Sequence, residues 1–362
     1  MARKIPRRLV LPLAVTAALL AILSVWLARR PGVRISTSPV SARKSNYDFI
    51  PEHWKESKLR ALREQEDFKD ISASDQLDLF LNLCDWTHRQ WPTSVPDPYP
   101  LSNAIDILAD IRAGKTGGFC GQYAYVLADV LKAMGFFAVR YVELWSDGGE
   151  SHFLVEAWSD QFAKWMILDP GENIYYAFAG SGLPAHALEV RAARGQPEGI
   201  AARSADASRS HRGRHKMHLY ANIAFSTRSD LMRLARPLTV RDRFDMFVLF
   251  KDGNSDPDAF GGRIPYTRTT SRVEDIYFDC NYARVEHRID RTRGEIHFAF
   301  YTDGSMFNFA RFAVSTDQGK NWRPSGAEMA LPLGKGAESF WVAPVNMAGR
   351  FGRPTRVEIS ED

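Results

Sequence analysis

A chain of 362 residues with 45% hydrophobic and 25% charged residues is long enough for two or three domains and has the composition of an ordinary globular protein. Its 47 Lys and Arg against 43 Asp and Glu leave a net charge of +4. Much of that excess is local, at Arg3, Lys4, Arg7 and Arg8 and between Arg191 and Lys216, so it forms no stripe for nucleic acid. Three cysteines, Cys84, Cys120 and Cys280, exclude a disulfide framework and leave at least one thiol over.

The first element is a basic head followed by an uncharged run from Leu9 to Leu27. That run sits at the lower end of the roughly 17–25 residues that cross a bilayer core. It ends in Ser24-Val25-Trp26-Leu27-Ala28-Arg29-Arg30, which offers no small-x-small cleavage site. Residues 1–30 are therefore expected to be a basic head and a transmembrane anchor, with Trp26 at the interface. The expected localisation is a single-pass membrane protein with its bulk extracytoplasmic, periplasmic or at the cell surface. Residues 31–46 are rich in Ser, Pro and Arg without apolar periodicity and read as a linker.

Residues 47–270 form the expected central domain. Leu77, Phe80, Leu81 and Cys84 recur at helical spacing, which predicts a helix over Gln76–Trp86 with Cys84 as a buried small hydrophobe. Four prolines make 92–100 a loop. Asn103 is placed to cap a short helix reaching Ile111, and Gly114, Gly117 and Gly118 mark a flexible approach to Cys120. From Cys120 to Met134 the apolar residues Tyr123, Val126, Leu127, Val130 and Leu131 share one helical face, and Gly135 stands at the C-cap. Phe136–Trp145, His152–Trp158 and Trp165–Asp169 read as successive strands, with a turn at Ser146-Asp147-Gly148-Gly149. A helix followed by antiparallel strands indicates an α+β unit. The polar stretch 192–215 reads as an insert, and 217–252 regains apolar character.

From 271 to 362 short strand-like runs alternate with turn residues, among them Ile276-Tyr277-Phe278, Glu295–Phe300 and Ala310–Val314. They suggest a small β-sandwich domain. Ser315-Thr316-Asp317-Gln318-Gly319-Lys320-Asn321-Trp322 matches an Asp-box hairpin, a turn signal in a single copy. The aromatic residues around Phe298 and Phe312 read as sandwich core.

One constellation carries chemistry. A thiol is a useful nucleophile only as thiolate, which a helix N-terminus and a neighbouring imidazolium both favour. Cys120 stands at a predicted helix start, after a glycine-rich turn that would expose its sulfur. A thiol enzyme then needs a His to carry the proton and a third group to orient it. His152 starts one strand and Asp169 ends the next, just before Pro170, which pushes Asp169 to extended geometry. If the strands pair, the two side chains stand side by side. Against this, His211, His215 and His218 read as a solvated basic stretch rather than a metal site, and Cys280 as structural.

Gly117-Gly118-Phe119-Cys120-Gly121-Gln122-Tyr123-Ala124 and Leu131–Arg140 resemble the nucleophile helix and following strand of the transglutaminase-like superfamily. His152–Trp158 and Trp165–Pro170 are similar to its His and Asp strands, in the same order and spacing. The match covers mainly residues 117–170. Leu154, at a position often held by Trp, departs from it and bears on substrate class. The resemblance implies an α+β transglutaminase-like or papain-like central domain without metal or cofactor. It implies acyl chemistry with Cys120 attacking an amide or ester carbon and an amine or water resolving the thioester. The expected substrate is a peptide or envelope-linked amide. The Cys120 backbone N–H would supply one oxyanion donor, with Trp86, Trp91 and Gln122 as candidates for the second. Trp91, Gln122 and Glu156 are the candidate substrate-binding residues, Glu156 being open between a surface strand position and a pocket-shaping one. The alternative is a catalytically silent transglutaminase-like module that binds or scaffolds envelope components.

Overall fold

The computed structural model describes residues 33–38, 43–195, 199–206, 216–252, 266–334 and 338–361. After a short strand, β1 (Val33–Thr37), come four helices: α1 (Ser57–Gln65), α2 (Gln76–His88), α3 (Ala104–Arg112) and α4 (Cys120–Ala133). Side chains decide where two of them begin. Asp75 accepts from the Asp78 amide at 2.9 Å to cap α2, and Asn103 accepts from the Asp106 amide at 3.1 Å to cap α3. Helix α4 is buried on every side beyond Cys120, as befits a helix apolar nearly all round. Its two interior charges are paired: Lys132 Nζ lies 2.6 Å from Asp129 and donates to Ser229 O at 2.7 Å. Asp129 also accepts the Ala104 amide at 2.8 Å, tying α4 to the start of α3.

Three antiparallel strands follow, β2 (Val139–Trp145), β3 (Ser151–Ser159) and β4 (Lys164–Leu168). Then come β5 (Ile174–Phe178), α5 (Ala187–Ala192), β6 (Ile200–Ser204), β7 (Asn222–Ser226), α6 (Val240–Met246), β8 (Phe247–Phe250), β9 (Thr269–Thr270) and α7 (Val273–Ile276). The central sheet runs β4-β3-β2-β7-β8-β9, and β5 pairs with β6 in a small separate sheet. Period-two alternation sends side chains to opposite faces. Val139, Tyr141, Val155 and Leu168 pack with the helices, whereas Val142, Leu144, Leu154 and Ile167 pack with Tyr176, Tyr220 and Tyr277 on the other side.

The rest is strand: β10 (Arg284–Asp290), β11 (Glu295–Tyr301), β12 (Phe309–Ser315), β13 (Arg323–Ser325), β14 (Glu328–Pro332), β15 (Glu338–Asn346) and β16 (Thr355–Glu361). They form one sheet ordered β10-β11-β14 and another ordered β1-β16-β15-β12-β13. Phe298 and Phe300 of the first meet Phe312, Phe340 and Val357 of the second in one apolar cluster. The Asp-box residues turn β12 into β13: Ser315 Oγ accepts the Gly319 amide at 2.9 Å and Asp317 accepts the Asn321 amide at 2.9 Å. The described chain is thus α+β with several sheets.

Three expectations are corrected. No helix among the described residues is long and apolar enough to cross a membrane. The longest, α4 with 14 residues, rises only about 21 Å at 1.5 Å per residue, short of a hydrocarbon core of about 30 Å. The expected anchor over 9–27 lies outside the described residues, and the single-pass membrane placement built on it is withdrawn. The stretch read as a linker supplies β1, which pairs antiparallel with β16 from Val33↔Glu361 to Thr37↔Val357. Val33 and Ile35 alternate onto the cluster between the sheets, a two-residue signal too brief to read without its partner strand. The strand-like run Ile276-Tyr277-Phe278 forms no strand: Ile276 ends the one-turn helix α7 and Tyr277 is its C-cap.

Candidate active site

Cys120 is the first residue of α4 and is partly exposed, whereas Cys84 and Cys280 are buried. Burial, then nearby carboxylates, push the thiols of Cys84 and Cys280 well up, so neither is a nucleophile. The glycines before Cys120 are required by contact. A Cβ on Gly118 would lie 2.6 Å from Trp91 Nε1 and 2.8 Å from Ile111, and one on Gly117 would run into Ser94. The proline-rich loop therefore closes directly onto the strand of chain entering the helix, and Ser94 N donates to Gly118 O at 2.8 Å. Trp91 donates its indole N–H to the same carbonyl at 3.2 Å and stacks on Tyr123 with ring centroids 4.3 Å apart.

His152 lies near the start of β3, and Asp169 directly follows β4. The register pairs Val155 with Leu168, so one step further brings Asp169 opposite Leu154, on the same face as His152. His152 Nε2 is 2.6 Å from Asp169 Oδ2. The other carboxylate oxygen accepts the Glu172 amide at 3.2 Å, inside a tight turn closed by two backbone bonds between Asp169 and Ile174. Pro170 O meets His88 Nδ1 at 2.9 Å, fixing the turn to α2. A Cβ on Gly171 would lie 3.6 Å from the Cα of Cys120, so this turn also abuts the start of α4.

With Nε2 held by Asp169, Nδ1 is the ring nitrogen left for a third group, and the Cys120 sulfur is near enough to raise the proton affinity of the ring. Burial of the imidazole lowers its proton affinity. The Asp169 carboxylate and then the Cys120 sulfur outweigh burial, and the pKa is pushed up to about 10. His152 is therefore an imidazolium at neutral pH, both ring nitrogens carrying protons. Lys216 forms an ion pair with Glu172 nearby. Burial opposes its charge, but Glu172, Asp169 and Cys120 raise its pKa.

The three candidate substrate-binding residues have different fates. Trp91 lies behind the loop with its N–H already spent. Gln122 is buried in the first turn of α4, its Oε1 accepting the Phe119 amide at 3.2 Å. Glu156 is not a surface or pocket residue. It is fully buried, receives Arg140 at 2.5 and 3.0 Å, the Ala187 amide at 2.7 Å and the Tyr277 hydroxyl at 2.9 Å. All its acceptor capacity goes into joining β2, β3, α5 and the residue that caps α7, and Arg140 is itself stacked over Trp165 at 4.3 Å. Beside Cys120 in the chain, Phe119 meets Tyr99 edge to face at 6.2 Å, and both are partly open to solvent. Tyr99 stood in a loop with no periodic signal, so sequence reasoning missed it.

Among the described residues no group of three or more His, Cys, Asp or Glu could hold a metal ion. His211 and His215 lie outside the described residues, and His218 pairs with Glu150 at 2.8 Å.

No family model matches the chain, and no curated protein is detectably similar to it. Solved structures do match. One is red sea bream transglutaminase, 10% identical, with 84% of this chain aligned to 67% of that one at a TM-score of 0.19. The likeness is weak and carries no argument; the geometry of the site stands on its own.

Proposed function

We propose that this chain is a transglutaminase-like thiol enzyme that transfers or hydrolyses acyl groups through Cys120, His152 and Asp169. One observation carries the reading: the only described thiol that reaches solvent sits at a helix N-terminus, and it helps raise the proton affinity of a buried imidazole whose Nε2 is 2.6 Å from a carboxylate. A cation and the free N–H groups of a helix start both favour a thiolate.

In this reaction Cys120 sulfur adds to an amide or ester carbon, and the carbonyl electron pair moves onto oxygen. As that pair returns, the bond to the leaving amine or alcohol breaks, and His152 gives the leaving group the proton from Nδ1. The product is a thioester. His152, now neutral, takes a proton from an incoming amine or water, which attacks the thioester and frees the sulfur. Asp169 keeps the ring turned toward Cys120 and stabilises its charged form. Peptide amides are the substrate class this chemistry suits. Exposing the chain to p-nitrophenyl acetate and mapping the acetyl group by mass spectrometry tests the proposal. A single hydroxylamine-labile acetyl on Cys120, absent from Cys120→Ser, is expected. Absence of acylation at Cys120 in the wild type would leave a binding module as the better account.

A further inference from the structure

A tetrahedral adduct on Cys120 places negative charge on the former carbonyl oxygen, and such sites supply at least two donors aimed at it. The Cys120 backbone N–H is one, since the first-turn amides of a helix have no intrahelical partner. Two indoles near the site cannot be the other. Trp86 Nε1 already donates to Asp67 at 2.7 Å, and Trp91 Nε1 to Gly118 O at 3.2 Å.

We infer that the Tyr99 hydroxyl is the second oxyanion donor at Cys120 and that Gln122 positions it, an inference that rests on the thiol-acyl reading above. The phenol is lodged between the two chain neighbours of Cys120. Its ring packs edge-on against Phe119 at 6.2 Å, and its oxygen lies 3.3 Å from where a Cβ on Gly121 would stand. A side chain larger than hydrogen at Gly121 would press on that oxygen, so this glycine makes room for the phenol beside the thiol.

Gln122 stands beneath it. The Phe119 amide anchors Oε1 at 3.2 Å, which leaves Nε2 free to point elsewhere. That nitrogen is buried and completes no hydrogen bond of good geometry among the described residues, and the polar group it faces is Tyr99. With its lone pair turned to Gln122, the phenol presents its O–H outward. Although part of Tyr99 reaches solvent, desolvation where its phenol packs on Gly121 raises the pKa first of all, against the pull of Gln122 and Arg243 and with help from Cys120 and Glu143, so the group keeps its proton at neutral pH. In the step itself the sulfur–carbon bond forms, the carbonyl pair becomes the oxyanion held by Cys120 N–H and Tyr99 O–H, and the pair returns as the leaving group departs. Tyr99 gives up no proton.

Two reagents separate this role from a structural one. Iodoacetamide alkylates a thiolate by displacement at carbon and creates no oxyanion, whereas p-nitrophenyl acetate acylates through one. Tyr99→Phe keeps the ring and its packing. It should lower the rate of Cys120 acetylation by on the order of 10²-fold, the usual cost of one oxyanion donor. The alkylation rate and the thermal melt should stay at wild-type values. Equal losses in both rates, or no loss in acetylation, would overturn the assignment while wild-type acetylation of Cys120 leaves the thiol-acyl reading intact. A wild-type chain that alkylates at Cys120 but never acetylates there would overturn both.

Discussion

His152 and Asp169 are 17 residues apart in the chain, yet Nε2 of one lies 2.6 Å from Oδ2 of the other. A single antiparallel pairing of two strands brings them together, and a turn closed on Asp169 holds the carboxylate in place. The pair gives the partly exposed Cys120 a charged neighbour, and most of what can be tested follows from that.

Substitution at the three residues should separate their roles. Cys120→Ser is expected to lower acyl turnover by about 10⁴-fold or more, because a hydroxyl is not ionised by this imidazolium. His152→Ala should be comparably severe, since no group remains to carry the proton. Asp169→Asn should be milder, keeping the shape and losing the charge. The triple variant should be little worse than Cys120→Ser, as residues acting as a unit are not additive. Turnover of p-nitrophenyl acetate with matched thermal melts decides; wild-type turnover by a folded Cys120→Ser would refute the assignment.

The raised His152 pKa has a signed consequence for stability. The folded-state value of about 10 exceeds the ordinary 6.5, so folding favours the protonated ring. Its stabilising contribution is fully present below about 6.5 and is lost as pH rises through about 10. Melting temperatures of wild type and Asp169→Asn should therefore differ most on the acidic and neutral side and converge above about 10. A gap that widens with alkalinity would contradict the linkage.

Glu156 should matter for the fold and not for the thiol. Replacing one member of a buried, hydrogen-bonded ion pair typically costs about 3–5 kcal/mol because the other is stranded. Glu156→Gln and Arg140→Met should both show that scale of loss in denaturant titrations. Iodoacetamide labelling of Cys120, measured where each variant remains folded, should match wild type. A selective loss of labelling would return Glu156 to the site.

Gly118→Ala tests the close approach of the loop to the helix entry. The new Cβ would stand 2.6 Å from Trp91 Nε1 and 2.8 Å from Ile111, so the indole must move. Overpacking of this kind costs about 1–3 kcal/mol. Quenching or a spectral shift of tryptophan fluorescence, together with slower acetylation of Cys120, is the expected outcome. An unchanged melt and rate would show that the loop yields freely.

Local rules make much of this protein legible in its sequence. Asn103 three residues ahead of Asp106, the apolar face running from Tyr123 to Leu131, and the β-branched and aromatic runs around His152 and Trp165 name their own structures. Those signals act within a turn of helix or along one strand. Once Cys120 falls at a helix start and His152 and Asp169 on consecutive strands, a single short turn suffices to pair them. What remained hidden depends on partners far away in the chain. Val33–Thr37 is a strand only because Val357–Glu361 lies beside it. Glu156 reads as either surface or pocket until Arg140, Ala187 and Tyr277 converge on it from three other elements. Tyr99 sits in a proline-rich loop without periodicity, and only the closing of that loop on Gly117 and Gly118 brings its phenol against Gly121, the residue after Cys120. Short-range backbone preference and side-chain period are written in the sequence. Which buried polar group meets which is decided by packing, where every donor and acceptor taken from water must find its match across the whole fold.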